Sequence, residues 1–397
     1  MIELEFTVMA QTPEKLAELQ VALETFERRT RIHVHLTPLK WGTAWSEIVS
    51  AAIHGHGPDV SEVGTSWVTD LVGMSALMGL SKQTISGLGK QSEYMEQAWR
   101  SCIILGDNTL WAVPWLSGAR VLYYRRDWLE KAGLKPETAF QSFSSMQDTL
   151  ARLQASGCAR PWSITTQTSL NTLHHIASWV WGHGGDFFTP DGKHLLFTEE
   201  KALNGIAAYF SLGQYLGADP AELSDARAYD LFWGGQAGVT MDGLWILPER
   251  KASSPAEVIQ NLGVGLVPGP SFVGGSNLVV WKNTVRPEAA LELIRFLTSP
   301  DVLMLCYRTT GLLPARRDLA QSLEIDTPEI RSIFNTALET GRSWPNLSFA
   351  ALLENRLTGT LGSIWKDVLA NPKSDILGIL HEHLDLLEKR LKISINP

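Results

Sequence analysis

The chain has 397 residues, 44% of them apolar and 19% charged, which is typical of a globular protein long enough for two domains. Its 34 basic and 42 acidic side chains give a net charge of −8 without a long basic run, which argues against a nucleic-acid partner. No stretch reaches the ~18 consecutive apolar residues that a membrane-spanning helix requires. Cys102, Cys158 and Cys306 lack metal-ligand spacing and are predicted to be buried apolar residues.

Strand and helix patterns alternate along the first part of the chain. An amphipathic pattern opens with Thr12 as a helix cap and Pro13 at the first helical position. The predicted order is strand 4–10, helix 12–30, strand 32–39, helix 44–55, strand 58–64 and helix 66–77. This β-α-β-α-β succession predicts a mostly parallel sheet covered by helices.

The middle and the end of the chain continue the mixed pattern. Two extended runs and a helix are predicted within 110–134, with a break near 114–118. The later elements are helices 144–156 and 199–217, a glycine-rich stretch 182–192, strands 262–270 and 275–283, helix 286–300 and a helical tail from 328. Neither an internal repeat nor a low-complexity linker interrupts them.

Tryptophan is unusually abundant, with 15 Trp against 13 Phe and 7 Tyr. Flat indole rings with a polar N–H suit stacking on sugar rings, whose faces are apolar and whose rims carry hydroxyls. Trp245 is the most informative case, because it follows the short strand and turn of "GVTMDG". Gly243 is expected to supply a turn conformation closed to other residues. Burial in a lobe and stacking on a ligand are both open for this ring.

Five segments together carry a resemblance to a known family. They are "GPDVSEVGTSWVTDLVGMSAL", "AVPWLSGARVLYYRRDWLEKAGL", "GVTMDGLW", "GGSNLVVWKNTVRPEAALELIRFLTSPD" and "TTGLLPARRDL". In this order and at this spacing, across nearly the full chain, the sequence resembles the sugar-binding family of extracellular solute-binding proteins of ABC importers.

The resemblance implies two α/β lobes, each a mostly parallel sheet flanked by helices. Crossing strands near 114–118, 268–275 and 311–314 would join the lobes. The expected boundaries are 1–115 plus 275–313 for the amino-terminal lobe and 116–274 plus 314–397 for the carboxy-terminal lobe. A ligand would lie in the cleft between the lobes, and hinge bending would close the cleft and compact the protein. Independently, open parallel sheets bind ligands beyond the carboxyl ends of their strands.

Loop and strand-end residues near that cleft are the candidates for sugar contacts. Indole rings would stack on the sugar, whereas carboxylate, guanidinium, amide and hydroxyl groups would hydrogen-bond its hydroxyls. Gly275 would let the backbone approach the ligand closely. The ligand-binding candidates are Gln11, Trp41, Ser66, Trp67, Trp115, Arg120, Trp181, Trp233, Asp242, Trp245, Gly275, Ser276 and Trp344.

Several candidates have an alternative role in the fold itself. Asp242 either accepts sugar hydroxyls or braces its own turn, and Arg120 either contacts the ligand or forms a salt bridge between the lobes. Trp181 is preferred to Trp179, since residues two apart face different sides of an element. Trp233 and Trp344 are predicted to lie in loops.

Metal and cofactor sites are not predicted. His54 and His56 precede a turn, but two such ligands rarely hold a metal ion. Phosphate-binding, dinucleotide-binding and hydrolase motifs do not occur in the sequence. We therefore expect neither a metal nor a cofactor.

These features predict a non-catalytic receptor for a mono- or oligosaccharide, which delivers its ligand to the permease subunits of an ABC transporter. We expect a monomer that is periplasmic or at the cell surface, with its export segment absent from this sequence. Two alternatives stay open. A receptor for a polyamine or another solute would need several acids beside the indole rings. A glycoside hydrolase would need a second carboxylate about 5 to 10 Å from Asp242.

Overall fold

A computed structural model describes most of the chain. The described residues are 2–9, 13–81, 87–104, 106, 109–220, 223–323, 325–344, 346–347, 349–371 and 375–395. The chain divides into two compact units. The first unit comprises Met1–Gly118, Val273–Glu324 and Ser343–Ala351, and the second comprises Ala119–Phe272, Ile325–Arg342 and Leu352–Pro397.

The units differ from the predicted lobes, since four segments that the sequence assigned to the second lobe fall in the first unit: 116–118, 273–274, 314–324 and 343–351. The chain just after residue 314 belongs to the first unit, where the Ala315 amide donates to the Trp115 carbonyl. Residues 343–351 also belong there, because the Asp70 carboxylate accepts the amide hydrogens of Phe349 (2.6 Å) and Ala351 (2.9 Å).

A six-stranded sheet forms the centre of the first unit. Its strands are β1 (Ile2–Met9), β2 (Ile32–Leu39), β3 (Val60–Gly64), β4 (Val113–Ala119), β9 (Val273–Val280) and β10 (Leu313–Pro314), in the order β10-β4-β9-β3-β1-β2. β1 pairs in parallel with β2 and β3, whereas β9 runs antiparallel to β3. Leu4, Phe6 and Val8 alternate with exposed or half-buried residues along β1 and fill the core.

Helices cover this sheet. The helix Trp41–His54 ends at Gly55, whose φ of 65° satisfies a left-handed cap. The helix predicted over 66–77 is shorter, at Val68–Gly73. The helices of the unit are Pro13–Thr30, Trp41–His54, Val68–Gly73, Glu96–Arg100, Pro287–Leu297, Pro300–Thr310 and Arg317–Ser322, with a 3-10 turn at Gln91–Glu93.

The second unit has a four-stranded mixed sheet. Its strands are β5 (Val121–Arg125), β6 (Trp162–Ser163), β7 (Val239–Asp242) and β8 (Leu262–Gly265), in the order β6-β7-β5-β8. Only β6 and β7 are parallel, since β5 runs antiparallel to both β7 and β8. The prediction of a mostly parallel sheet is wrong for this unit. β6 and β7 are joined through helices, as parallel neighbours require, whereas β4, which leads directly into β5, belongs to the other sheet.

The second unit is rich in helices with side-chain caps. The Ser169 hydroxyl caps the helix Leu170–Gly182 by accepting the Asn171 amide hydrogen, which fixes the start of that helix. The helices are Arg126–Lys131, Pro136–Ala139, Phe143–Ala155, Leu170–Gly182, Glu200–Ser211, Asp225–Trp233, Leu247–Ser253, Ala256–Gln260, Pro328–Thr340, Ala350–Ala370 and Ile376–Ile395, with 3-10 turns at Leu212–Tyr215 and Leu244–Ile246. Among the described residues, no helix combines the length and apolarity needed to cross a bilayer.

Gly275 lies where two strands of the first unit are in close contact. Its φ of 148° is in a region that residues with a side chain rarely adopt. A Cβ atom there would lie 2.1 Å from the Leu116 carbonyl oxygen and 2.8 Å from the Cα of Ser117. Close packing of the two strands is therefore enough to explain why position 275 needs a glycine. The sequence had suggested a different reason, the close approach of a ligand to the backbone.

Replacing Gly275 with alanine is expected to lower the free energy of unfolding by about 3 kcal/mol, because both backbone strain and steric overlap are added. Urea unfolding followed by circular dichroism measures the change. Gly359→Ala is the matched control, since a Cβ atom at that helical position meets nothing within 4 Å. A similar loss of stability in both variants would contradict the packing role.

Candidate functional site

A buried glutamate lies near the edge of the first unit's sheet at which β1 ends. Glu62 is the middle residue of β3 and is 2% exposed. Its Oε2 accepts the Met9 amide hydrogen at 2.7 Å. Ser276 pairs with Gly64 across β9 and β3, and its hydroxyl lies close enough to the Glu62 carboxyl to lower the pKa of that group. Parallel strands thus place an acceptor group where open sheets hold ligands.

Three indole rings cluster beside this edge. The Trp67 ring packs edge-on against Trp41, with centroids 5.8 Å apart, and lies 5.4 Å from Trp45. Trp67 is buried and also rests on Gly64, where a Cβ atom would lie 3.0 Å from the ring. Trp41 is only half-buried, so part of its ring is available to a ligand. Trp45 is half-buried as well, but Trp41 also lines a cavity together with Glu62, so Trp41 is the better stacking candidate.

Trp115 is committed to the interior of the first unit. It is 2% exposed, and its Nε1 donates to the Leu297 carbonyl at 3.1 Å. Together with Trp41 and Glu62 it lines a cavity of about 40 Å³. Burial favours a packing role for Trp115 over stacking on a sugar.

The environment of Glu62 changes its acidity. Burial raises its pKa from 4.5 to about 7, against the opposing effects of the Ser276 hydroxyl and the Met9 amide. The folded protein therefore holds the Glu62 proton more tightly than the unfolded chain does. Stability from this group is fully present below pH 4.5 and is lost as the pH rises through about 7.

Replacement of Glu62 by Gln is expected to remove this part of the pH dependence. Between about pH 5 and about pH 8, the free energy of unfolding of the unsubstituted protein should fall by about 3 kcal/mol more than that of Glu62→Gln. Urea unfolding at both pH values measures the difference. Parallel pH profiles for the two proteins would show that Glu62 does not titrate in this range.

A buried cation lies at the edge of the second unit's sheet. Arg120 immediately precedes β5, and the register pairs Val121 with Asp242 at the end of β7. The Arg120 Nη2 donates to Asn171 Oδ1 at 2.7 Å and to His174 Nδ1 at 3.0 Å. Its guanidinium carbon also lies 4.3 Å from the centroid of the Trp245 ring. The fold thus brings a cation, an acid and an indole ring together at the end of this sheet where β5 begins and β7 ends.

Asp242 is fully buried beside this cation. Burial raises its pKa from 3.8 to about 6, although Arg120, the Gly243 amide and the Tyr229 hydroxyl all act to lower it. Its Oδ1 accepts the Gly243 amide hydrogen at 2.8 Å, so the predicted bracing of the turn does occur.

Trp245 is half-buried, and Gly243 supports its ring. A Cβ atom at Gly243 would lie 1.8 Å from Cζ3 of the indole, so any other residue would displace the ring from its present position. The predicted reason for this glycine, an unusual turn conformation, is wrong, because its φ of −98° and ψ of 179° are extended. The glycine serves ring packing instead.

Sequence reasoning missed the residues that hold Arg120. Asn171 Nδ2 donates to Asp225 Oδ1 (3.1 Å) and to the Tyr229 hydroxyl (3.0 Å). His174 Nε2 lies 3.2 Å from Glu354 Oε1. Burial, and secondarily the charge of Arg120, holds the His174 pKa well below its usual range, so a neutral imidazole accepts from Arg120 through Nδ1. The adjacent histidines in the sequence were the one available signal.

Trp181 and Trp233 lie on helices of the second unit. Trp181 is 5% exposed, stacks parallel to Phe272 at 6.1 Å, and donates from Nε1 to Asp186. Trp233, predicted to lie in a loop, is instead the last residue of its helix and packs 5.4 Å from Tyr123. Burial of both rings favours packing over ligand contact.

The positions of the remaining candidates give little support for direct contact with a ligand. Trp344 is 5% exposed and donates from Nε1 to the Ala350 carbonyl. Ser66 is buried in the turn before the helix Val68–Gly73. Gln11 lies outside the described residues. Within the described part of the chain, no three His, Cys, Asp or Glu side chains are grouped as a metal site.

Comparisons with known proteins identify relatives along most of the chain. A family model for bacterial extracellular solute-binding proteins matches residues 10–304. The chain is 23% identical over 312 residues to the diacetylchitobiose binding protein DasA of Streptomyces coelicolor, which covers 75% of this chain and 70% of that protein.

Solved structures share the fold. An ABC transporter solute-binding protein from Thermotoga lettingae, bound with α-D-tagatose, superposes with a TM-score of 0.83 at 18% identity, covering 98% of this chain and 99% of that one. The GacH receptor of Streptomyces glaucescens, studied unliganded and with acarbose, gives a TM-score of 0.81 at 19% identity and covers 99% of each chain. The predicted two-lobe solute-binding fold is confirmed. Since the family model spans residues 10–304 of 397, the chain belongs to the bacterial extracellular solute-binding proteins.

Proposed function

We propose that this solute-binding protein binds a mono- or oligosaccharide without chemically changing it. The observation that carries the proposal is the group formed by Trp245, Arg120 and Asp242 in the second unit. A half-buried indole ring offers an apolar surface to a sugar face, and the buried ionic groups beside it offer donors and acceptors to hydroxyls. In the first unit, Trp41 and Glu62 present the same combination of ring and acceptor.

Buried polar groups of this kind would select among sugars. A ligand that lacks a matching hydroxyl leaves a buried donor or acceptor unpaired, which costs more than the missing contact itself. Arg120 is suited to such selection because Asn171 and His174 already hold its guanidinium in one position. The relatives support a carbohydrate ligand, since their names include diacetylchitobiose, tagatose and acarbose.

The family supports a proposal about the biological setting of this protein. We propose export to the periplasm or the cell surface, function as a monomer, and delivery of the sugar to the permease subunits of an ABC transporter. The family description as extracellular supports the first of these.

A ligand panel tests the proposal. Thermal unfolding is measured with D-tagatose, maltose, acarbose and N,N′-diacetylchitobiose, with putrescine and spermidine as the competing class, and isothermal calorimetry follows each hit. A sugar present at about 100 times its dissociation constant stabilises the fold by about 2.7 kcal/mol. Stabilisation by the amines alone would replace the carbohydrate proposal by the polyamine alternative. Turnover of activated aryl glycosides would contradict the non-catalytic role.

A further inference from the structure

A small cavity in the first unit lies beside the buried carboxyl of Glu62. Its volume is about 40 Å³, and Trp41 and Trp115 contribute ring surface to it. Most of the remaining wall is aliphatic: Val8, Leu16, Leu19, Leu116, Leu305 and Leu312. Because a cavity needs about 10 to 15 Å³ measured in this way to hold one water molecule, the space takes only a few non-hydrogen atoms, which is enough for a short substituent and too little for a sugar ring.

Glu62 is the acceptor that this cavity offers to an incoming hydrogen-bond donor. The Thr309 and Thr310 hydroxyls also line the wall and donate to carbonyl groups of their own helix, at 3.0 and 2.7 Å, so toward the cavity they can act only as neutral acceptors. The bond from the Met9 amide to Oε2 holds the Glu62 carboxyl in place. A carboxylate is the stronger acceptor because its charge shortens and strengthens the hydrogen bond.

We propose that this cavity is a subsite for a small substituent of the bound sugar, and that Glu62 accepts a hydrogen bond from the hydroxyl or amide N–H which the substituent carries. The inference rests on the proposed carbohydrate-binding function. A hydroxymethyl or acetamido arm has the required chemistry, since its carbon atoms contact the indole and aliphatic walls while its single donor meets the carboxylate.

The pH dependence of binding follows from the surroundings of Glu62. Its pKa of about 7 means that it gains its charge in the neutral range. β1 contributes the Met9 amide, β9 the Ser276 hydroxyl, and the helix Pro300–Thr310 the Cys306 thiol, whose pKa burial raises to about 12. No other titratable side chain is among the described residues that line the cavity. Sugar affinity should therefore rise as the pH passes through neutrality.

Calorimetry with the tightest-binding sugar of the panel tests this subsite on the full chain. The affinity of the unsubstituted protein should rise several-fold between about pH 6 and about pH 8. Glu62→Gln should bind about 10- to 100-fold more weakly at the higher pH and lose the pH dependence, because its amide oxygen is held by Met9 and its NH₂ group repels a donor. Glu5→Gln, which changes an exposed glutamate on β1, is the control and should behave as the unsubstituted protein.

Ligand truncation provides a second measurement that does not depend on a variant folding. Competition with D-glucose against D-xylose reports a hydroxymethyl group, and N-acetyl-D-glucosamine against D-glucose reports an acetamido group. For one of the two pairs, the difference in affinity between the two sugars should be larger in the unsubstituted protein than in Glu62→Gln. Equal differences in both proteins, or an affinity that falls with pH, would overturn the subsite while carbohydrate binding stands. Absence of binding by every sugar would overturn both.

Discussion

Replacement of Trp245 by alanine is expected to weaken sugar binding by about 30-fold or more, because a half-buried aromatic ring at a binding site typically contributes about 2 kcal/mol. The free energy of unfolding should change by less than about 1 kcal/mol, since the ring is only partly removed from water. Isothermal calorimetry measures the first quantity and urea unfolding the second.

Trp128→Ala is a close control for this variant. Trp128 is also half-buried in the second unit, and the Lys131 ammonium lies 4.4 Å from its ring centroid, comparable to the 4.3 Å between Arg120 and Trp245. It should lose as little stability as Trp245→Ala and keep full sugar affinity. If Trp245→Ala bound as well as the control, its ring would be part of the fold rather than of the binding surface.

The second large effect is expected from Arg120→Met. This change leaves Asn171 and His174 without their donor and Asp242 without the cation that lowers its pKa. Loss of one partner from a buried charged group typically costs about 3 to 5 kcal/mol, so the variant should be markedly less stable and should not bind sugar. Urea unfolding gives the stability.

The pH dependence distinguishes this mechanism from a simple packing defect. The pKa of Asp242 should rise further above about 6 in the variant, so its carboxyl stays neutral at low pH and becomes an unpaired buried charge at high pH. The stability loss should therefore be larger at about pH 8 than at about pH 5. Adding Asp242→Asn to Arg120→Met should recover part of the loss at the higher pH. A loss that is independent of pH and not rescued would indicate packing alone.

The order of elements was largely readable from local patterns. The helix Pro13–Thr30 and strand β2 follow directly from amphipathic and alternating periodicity. The mixed pairing of β5 was not readable, since its partners β7 and β8 lie far along the chain and no local window contains both strands of a pair. The placement of residues 343–351 in the first unit depends on the distant Asp70 carboxylate for the same reason.

The residues of the candidate site could likewise be predicted only where the signal was local in the sequence. Asp242 and Trp245 were found because a strand, a turn and an aromatic residue are adjacent in sequence. Asn171 and His174 were missed because they lie 51 and 54 residues from Arg120, and only the fold brings them to it. Trp233 was misassigned because its helix ends in an apolar run followed by glycines, which locally resembles a loop.

The contact between Gly243 and the indole of Trp245 has a consequence for the evolution of specificity. The ring rests directly on bare main chain, with 1.8 Å between Cζ3 and the place of a missing methyl group. Because the extended backbone there tolerates any residue, a substitution at position 243 would tilt the aromatic plane without forcing the turn to refold. The residue at position 243 thus sets the tilt of the Trp245 ring. In a laboratory selection for new ligands, this is the first position to randomise.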